Sequence, residues 1–128
     1  MSELPPEVEV WVQCFDADAL RRVHEATGLR CCLGLDEDSD WRGAIARHRA
    51  WLGGLVAAKS LLAGPIVEEA HAAGLRVDAY TFRDDRVGAG HASIEAELEW
   101  ALASGADALF CDFPATALAV RARLAVAP

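Results

Sequence analysis

An apolar run followed by a helical segment recurs five times along this chain, and that alternation restricts the fold more than any other feature. The strand candidates are 8–15, 29–35, 52–59, 75–82 and 106–113. Each helix between them has a start signal. Asp16 can cap 17–27, the acidic loop DEDSD precedes a helix from Trp41 to Trp51, and Gly64 and Pro65 open IVEEAHAAG. Ser93 can cap 94–105, and Pro114 starts ATALAVRARLA. Gly28 stops the first helix. Leu20, Val23 and Thr27 form the expected buried stripe of that helix, and Ile45, His48 and Leu52 that of the second. The strands are continuous apolar runs without clean alternation, the pattern of parallel strands covered on both sides.

Two α/β architectures accommodate five such units. One is an open, doubly wound five-stranded sheet. The other is five consecutive units of an eight-fold barrel, which normally takes about 250 residues. The chain has 128 residues, the length of one domain, and completeness of a domain favours the first reading on periodicity alone. A net charge of −8 argues against non-specific binding to nucleic acid or an anionic membrane. The N-terminus MSELPPEVEV has neither a basic n-region nor an apolar h-region, so no signal peptide is expected. No apolar stretch reaches the roughly 18 residues of a spanning helix. The four cysteines, Cys14, Cys31, Cys32 and Cys111, form no C-x-x-C pair. They read as buried reduced thiols, with a cytoplasmic location as the expectation.

In either architecture a site lies at the C-terminal strand ends. Those ends carry Gln13, Cys14, Phe15 and Asp16; Asp36 and Glu37; Lys59; Tyr80, Thr81, Arg83 and Asp84; and Cys111 and Asp112. Lys59 and Arg83 are suited to a phosphate, and the carboxylates to a divalent cation. Simpler roles compete with each. Asp16 reads as a helix cap, and Asp36, Glu37, Asp38 and Asp40 as a solvated loop. Lys59 and Asp112, next to apolar strands, are the least ordinary. His24, His48 and His71 fall within helices and His91 in a Gly-rich loop, so no general acid or base is visible. LGGLVAAKS lacks the phosphate-loop spacing, and the strand ends lack the acidic pair of a receiver domain.

Four segments, in order, resemble one family. WVQCFDADALRR is similar to the QSFD-x-x-x-L segment of glycerophosphodiester phosphodiesterases, and VAAKSLL to their GP-x-K segment. AHAAGLRVDAYTFRDD resembles AH-x-x-GL-x-V-x-x-YTFR, a form typical of the periplasmic-type branch, and GADALFCDFPATA resembles GVDGLFTDFPDTA. The chain departs from the pattern at Cys14, Ala57, Ala58, Ala79 and Cys111. The resemblance implies a TIM barrel that hydrolyses glycerophosphodiesters to an alcohol and glycerol 3-phosphate, in lipid and glycerol metabolism, with bound calcium or magnesium. It further implies that residues 1–128 are a single partial domain, family strands 4 to 8.

The family's catalytic HRG, its metal-binding E-x-D and the glutamate of its strand 3, and its HD motif belong to the part not matched. No HRG, E-x-D or HD occurs here. By resemblance the chain carries only pocket-wall positions: Gln13, Phe15, Lys59, Tyr80, Thr81, Arg83 and Asp112. Phe15 and Tyr80 are expected to line the cleft, with Lys59 and Arg83 near the phosphate. No catalytic residue, metal ligand or cofactor is expected in this chain alone, and the chain alone is expected to be inactive. A glycerophosphodiester or glycerol 3-phosphate is the expected ligand. Five strands of an eight-stranded barrel leave two unpaired edges, so pairing with a second copy or an N-terminal fragment is expected. The alternatives are a non-catalytic module that holds a phosphorylated ligand, and an oligomerising remnant.

Overall fold

The computed structural model describes residues 7–125; the reading of the N-terminal residues 1–6 lies outside it. Five strands and five helices alternate as the sequence predicts. β1 (Trp11–Cys14), α1 (Ala17–Thr27), β2 (Arg30–Leu35), α2 (Trp41–His48) and β3 (Gly54–Ala58) come first. A 3-10 helix (Lys59–Ala63) then precedes α3 (Ile66–Ala72), β4 (Arg76–Phe82), α4 (Ile94–Ala103), β5 (Ala108–Cys111) and α5 (Pro114–Ala125). The 3-10 helix was not expected from the sequence.

The strands pair in parallel in strict sequence order, β1-β2-β3-β4-β5. A doubly wound sheet reverses its order at a switch point, and this one never does. The doubly wound alternative is therefore overturned, and the five units form a partial TIM barrel. Right-handed crossovers in a sequential sheet put every helix on one face. Leu33, Leu35, Leu55, Ala57, Val77 and Ala79 point to that face and join Leu20, Ile45, Ile66, Ala70, Leu98 and Ala101 in one core cluster. The expectation of strands covered on both faces is corrected accordingly: helices cover only the convex side.

The other face is concave. On a flat sheet β1 and β4 would lie three spacings of about 4.8 Å apart. Yet the Arg76 guanidinium of β4 sits 4.9 Å from the Trp11 ring of β1, and the Tyr80 phenol of β4 donates to the Leu35 carbonyl of β2 at 2.9 Å. Glycines leave room for side chains on this face. A Cβ on Gly34 would meet the Phe15 ring at 2.7 Å. The edge strands β1 and β5 are short and half-buried, because each lacks a neighbour on one side. Phe15 and Phe110 extend from these edges and are exposed.

The caps behave as read. Asp16 accepts from the amides of Asp18 and Ala19, Ser93 from that of Ala96, and Gly28 takes the left-handed conformation with φ 70°. Within α1 only Leu20 is buried, whereas Val23 and Thr27 are exposed: an eleven-residue helix on a curved sheet contacts it along one short line. Cys31 and Cys32 point to opposite faces and are buried, but Cys14 and Cys111 are only half-buried, being on the edge strands. No helix among the described residues is long and apolar enough to cross a membrane.

If the convex face holds the fold, Leu55→Ala, at a fully buried position in the central strand, costs about 3 kcal/mol in urea unfolding. Leu118→Ala, on the exposed side of α5, stays within about 0.5 kcal/mol.

Candidate functional site

The strand ends converge at the C-terminal mouth of the concave face, where two adjoining hollows share Tyr80 and Thr81. One is lined by Gln13, Phe15, Val56, Tyr80, Thr81, Phe110, Cys111 and Asp112. The other is lined by Glu37, Ala58, Lys59, Tyr80, Thr81, Arg83, Arg86, Val87 and Gly88. All of Gln13, Phe15, Lys59, Tyr80, Thr81, Arg83 and Asp112 thus fall on one continuous surface.

Tyr80 is the ridge between the hollows. Its ring meets Phe15 edge-on, centroids 6.0 Å apart, and its hydroxyl is committed to the Leu35 carbonyl. Burial pushes the phenol pKa up, and Asp36 and Glu37 add to the shift, so Tyr80 is a neutral wall at physiological pH. The sheet is irregular here. The β4–β5 register shifts between Ala79 and Phe82, and the Tyr80–Thr81 peptide is cis.

Arg83 follows β4 and is held locally. Its Nε and Nη2 donate to the two carboxylate oxygens of Asp85, each at 2.9 Å. That bidentate hydrogen bonding raises the arginine pKa and lowers that of Asp85. Arg83 Nε also lies 3.5 Å from Asp112 Oδ2, which ties the end of β4 to the end of β5. Asp84, another residue of the turn, accepts from the Thr116 hydroxyl at 2.5 Å. Asp84 and Asp85 are turn residues, as read, but each has a specific partner.

Lys59 begins the 3-10 helix after β3, and its partner is one that the sequence did not suggest. Lys59 Nζ donates to Glu97 Oε1 on α4 at 3.0 Å, and lies 5.3 Å from the Phe82 ring centroid. The Glu97 side chain is 1% exposed and that of Lys59 21%. Nothing local in the sequence separates Glu97 from its helix neighbours Glu95 and Glu99; the signal is a carboxylate on the apolar side of α4, beside Leu98 and Ala101.

The acidic loop stays solvated. Asp36, Glu37, Asp38 and Asp40 are exposed; Asp36 and Asp40 accept hydrogen bonds within their own turns. Among the described residues no three His, Cys, Asp or Glu side chains come together as metal ligands. The histidines are elsewhere: His24 bonds the Leu29 carbonyl, His48 packs on Trp51, His71 pairs with Asp107, and His91 stacks on Trp100. Cys111 does line the first hollow, but burial and the nearby Asp112 and Asp84 raise its pKa, which keeps it a thiol rather than a nucleophilic thiolate. The surface offers ring faces, hydroxyls, the carboxylates of Glu37 and Asp112, and three cationic side chains.

The profile of the glycerophosphoryl diester phosphodiesterase family matches residues 7–116. The chain belongs to this family. Among solved structures, a protein from Agrobacterium tumefaciens assigned as a glycerophosphoryl diester phosphodiesterase superposes with a TM-score of 0.73 at 14% identity. The match covers 90% of this chain and 44% of that one. A similarly assigned protein from Silicibacter pomeroyi gives 0.71 at 16% identity, over 88% of this chain and 37% of that one. A phosphodiesterase from Oleispira antarctica, solved with its product sn-glycerol-3-phosphate, gives 0.66 at 20% identity, over 92% and 44%. At these identities the likeness is one of fold. The chain spans less than half the length of each of these proteins. Among curated proteins no significant match is found.

Removing one partner of the Lys59–Glu97 pair leaves a charge in a water-poor site. Lys59→Met is expected to lower stability by about 2–3 kcal/mol in urea unfolding, somewhat discounted for the partial exposure of Lys59. Adding Glu97→Gln in the same chain restores more than half of that loss.

Proposed function

We propose that this chain forms the substrate-pocket wall of a glycerophosphodiester phosphodiesterase barrel, family strands 4 to 8. In this reading it recognises the glycerol 3-phosphate portion of a ligand and does not hydrolyse a diester by itself. The observation that carries it is the meeting of Lys59, Tyr80, Thr81, Arg83 and Arg86 around one hollow at the strand ends. Lysine and arginine supply charge-assisted donors to a phosphate, while Phe15 and Tyr80 give the glycerol carbons an apolar wall. The Oleispira relative, which shares the fold, binds sn-glycerol-3-phosphate. Hydrolysis needs a base or an activated water. The family resemblance assigns that role to residues of strands 1 to 3 together with calcium or magnesium.

Titration calorimetry with sn-glycerol-3-phosphate tests the reading. Saturable binding in the millimolar range or tighter is expected, weakened by Arg83→Ala. Glycerophosphocholine with calcium or magnesium is expected to show no turnover above buffer. Turnover lost in Lys59→Ala would overturn the inactivity, and absence of heat at millimolar ligand would overturn the recognition.

The same reading implies a partner. β1 and β5 each present an unpaired parallel edge, and Phe15 and Phe110 stand exposed, 57% and 42%, on the concave side between them. A further set of βα units, from an N-terminal fragment or a second copy, would cover both. Sedimentation of the purified chain is expected to show self-association, and a stable folded monomer at micromolar concentration would count against it.

A further inference from the structure

Glu97 is the most buried charged group of the described residues, and both of its oxygens are taken. Oε1 accepts from Lys59 Nζ at 3.0 Å, and Oε2 accepts from the Gly88 amide at 3.0 Å. Lys59 belongs to the segment after β3, and Gly88 to the loop after β4, so one carboxylate joins two walls of the same hollow. That loop also carries Arg83 and Arg86, paired to each other by a backbone bridge. A Cβ at Gly88 would fall on Glu97 Oε2, the far end of that side chain, so an alanine there would push the carboxylate aside. A buried ion pair adds little net stability compared with apolar side chains of the same shape. Its place on an otherwise apolar helix face suits a different task.

We infer that Glu97 is a positioning residue, which holds Lys59 and the 83–91 loop as one preformed cationic rim for a phosphate group. The inference deepens the reading given under Proposed function and rests on it for the identity of the anion. Glu97 touches no ligand in this scheme. It acts by keeping Lys59 Nζ at the mouth of the hollow and by fixing the loop through the Gly88 amide, so that the rim need not be ordered when the ligand arrives.

The test combines amide hydrogen exchange with calorimetry on the full chain. Glu97→Gln keeps the side-chain shape and an acceptor but loses the charge. It is expected to speed exchange at Gly88 and Arg86 and to weaken sn-glycerol-3-phosphate binding about tenfold, the size of one charge-assisted hydrogen bond. Gly88→Ala, which displaces the carboxylate from the other side, should do the same in a chain that remains folded by circular dichroism. Glu95→Gln, on the exposed face of α4, should change neither. Affinity unchanged or increased in Glu97→Gln would overturn the inference, since an increase would mean that Glu97 competes with the ligand for Lys59. If the unaltered chain binds no sn-glycerol-3-phosphate, the phosphate reading fails. The coupling is then decided by exchange alone: protection at Gly88 lost in both Glu97→Gln and Lys59→Met supports it, and protection kept in both overturns it.

Discussion

Strictly sequential parallel pairing is the constraint on which the rest of this structure depends. Crossovers between parallel strands are right-handed as a rule, so a sequential order lands each helix on the same face, and the sheet curls around its bare side. From that curl follow the two properties that matter for function. The convex face packs into one continuous apolar core. The concave face brings side chains from different strands within reach of one another, as Tyr80 reaches Leu35 and Arg76 reaches Trp11. A site can then be built at the mouth from residues that are distant in sequence.

What the sequence disclosed was local. Asp16, Ser93 and Gly28 act through bonds within a few residues, and their roles were legible one at a time. The position of the site was legible too, because parallel strands put their C-terminal ends on one side whichever architecture is chosen. The choice between a doubly wound sheet and a partial barrel was not legible from periodicity, since both consist of the same units and differ only in which strand lies beside which. Segment resemblance decided it, and the strand order agrees.

The partner of Lys59 was hidden for a related reason. Glu97 lies 38 residues away on a helix with glutamates at 95, 97 and 99, and only the rotation of that helix tells which one turns inward. Arg83 is the opposite case. Its partner Asp85 is two residues away, and the pair Asp84 and Asp85 reads as a polar turn whether or not it is bonded to anything. The histidines and cysteines, which invite chemical interpretation most readily, take structural places here: each histidine has an aromatic or hydrogen-bonding neighbour away from the mouth.

The cationic groups at the mouth are consequently unequal. Arg83 gives its bidentate fork to Asp85 and leans toward Asp112, so part of its charge is already compensated. Lys59 keeps two of its three N–H donors beyond the one given to Glu97, and remains partly exposed. Arg86 forms no salt bridge within 4 Å among the described residues, although its charge acts on Asp85 and its backbone is fixed to Arg83. On the proposed reading, Arg86 and Lys59 are the less committed cations for a phosphate, with Arg83 shaping the rim. In that proposal the wall selects the anion and bond cleavage is left to groups that face it.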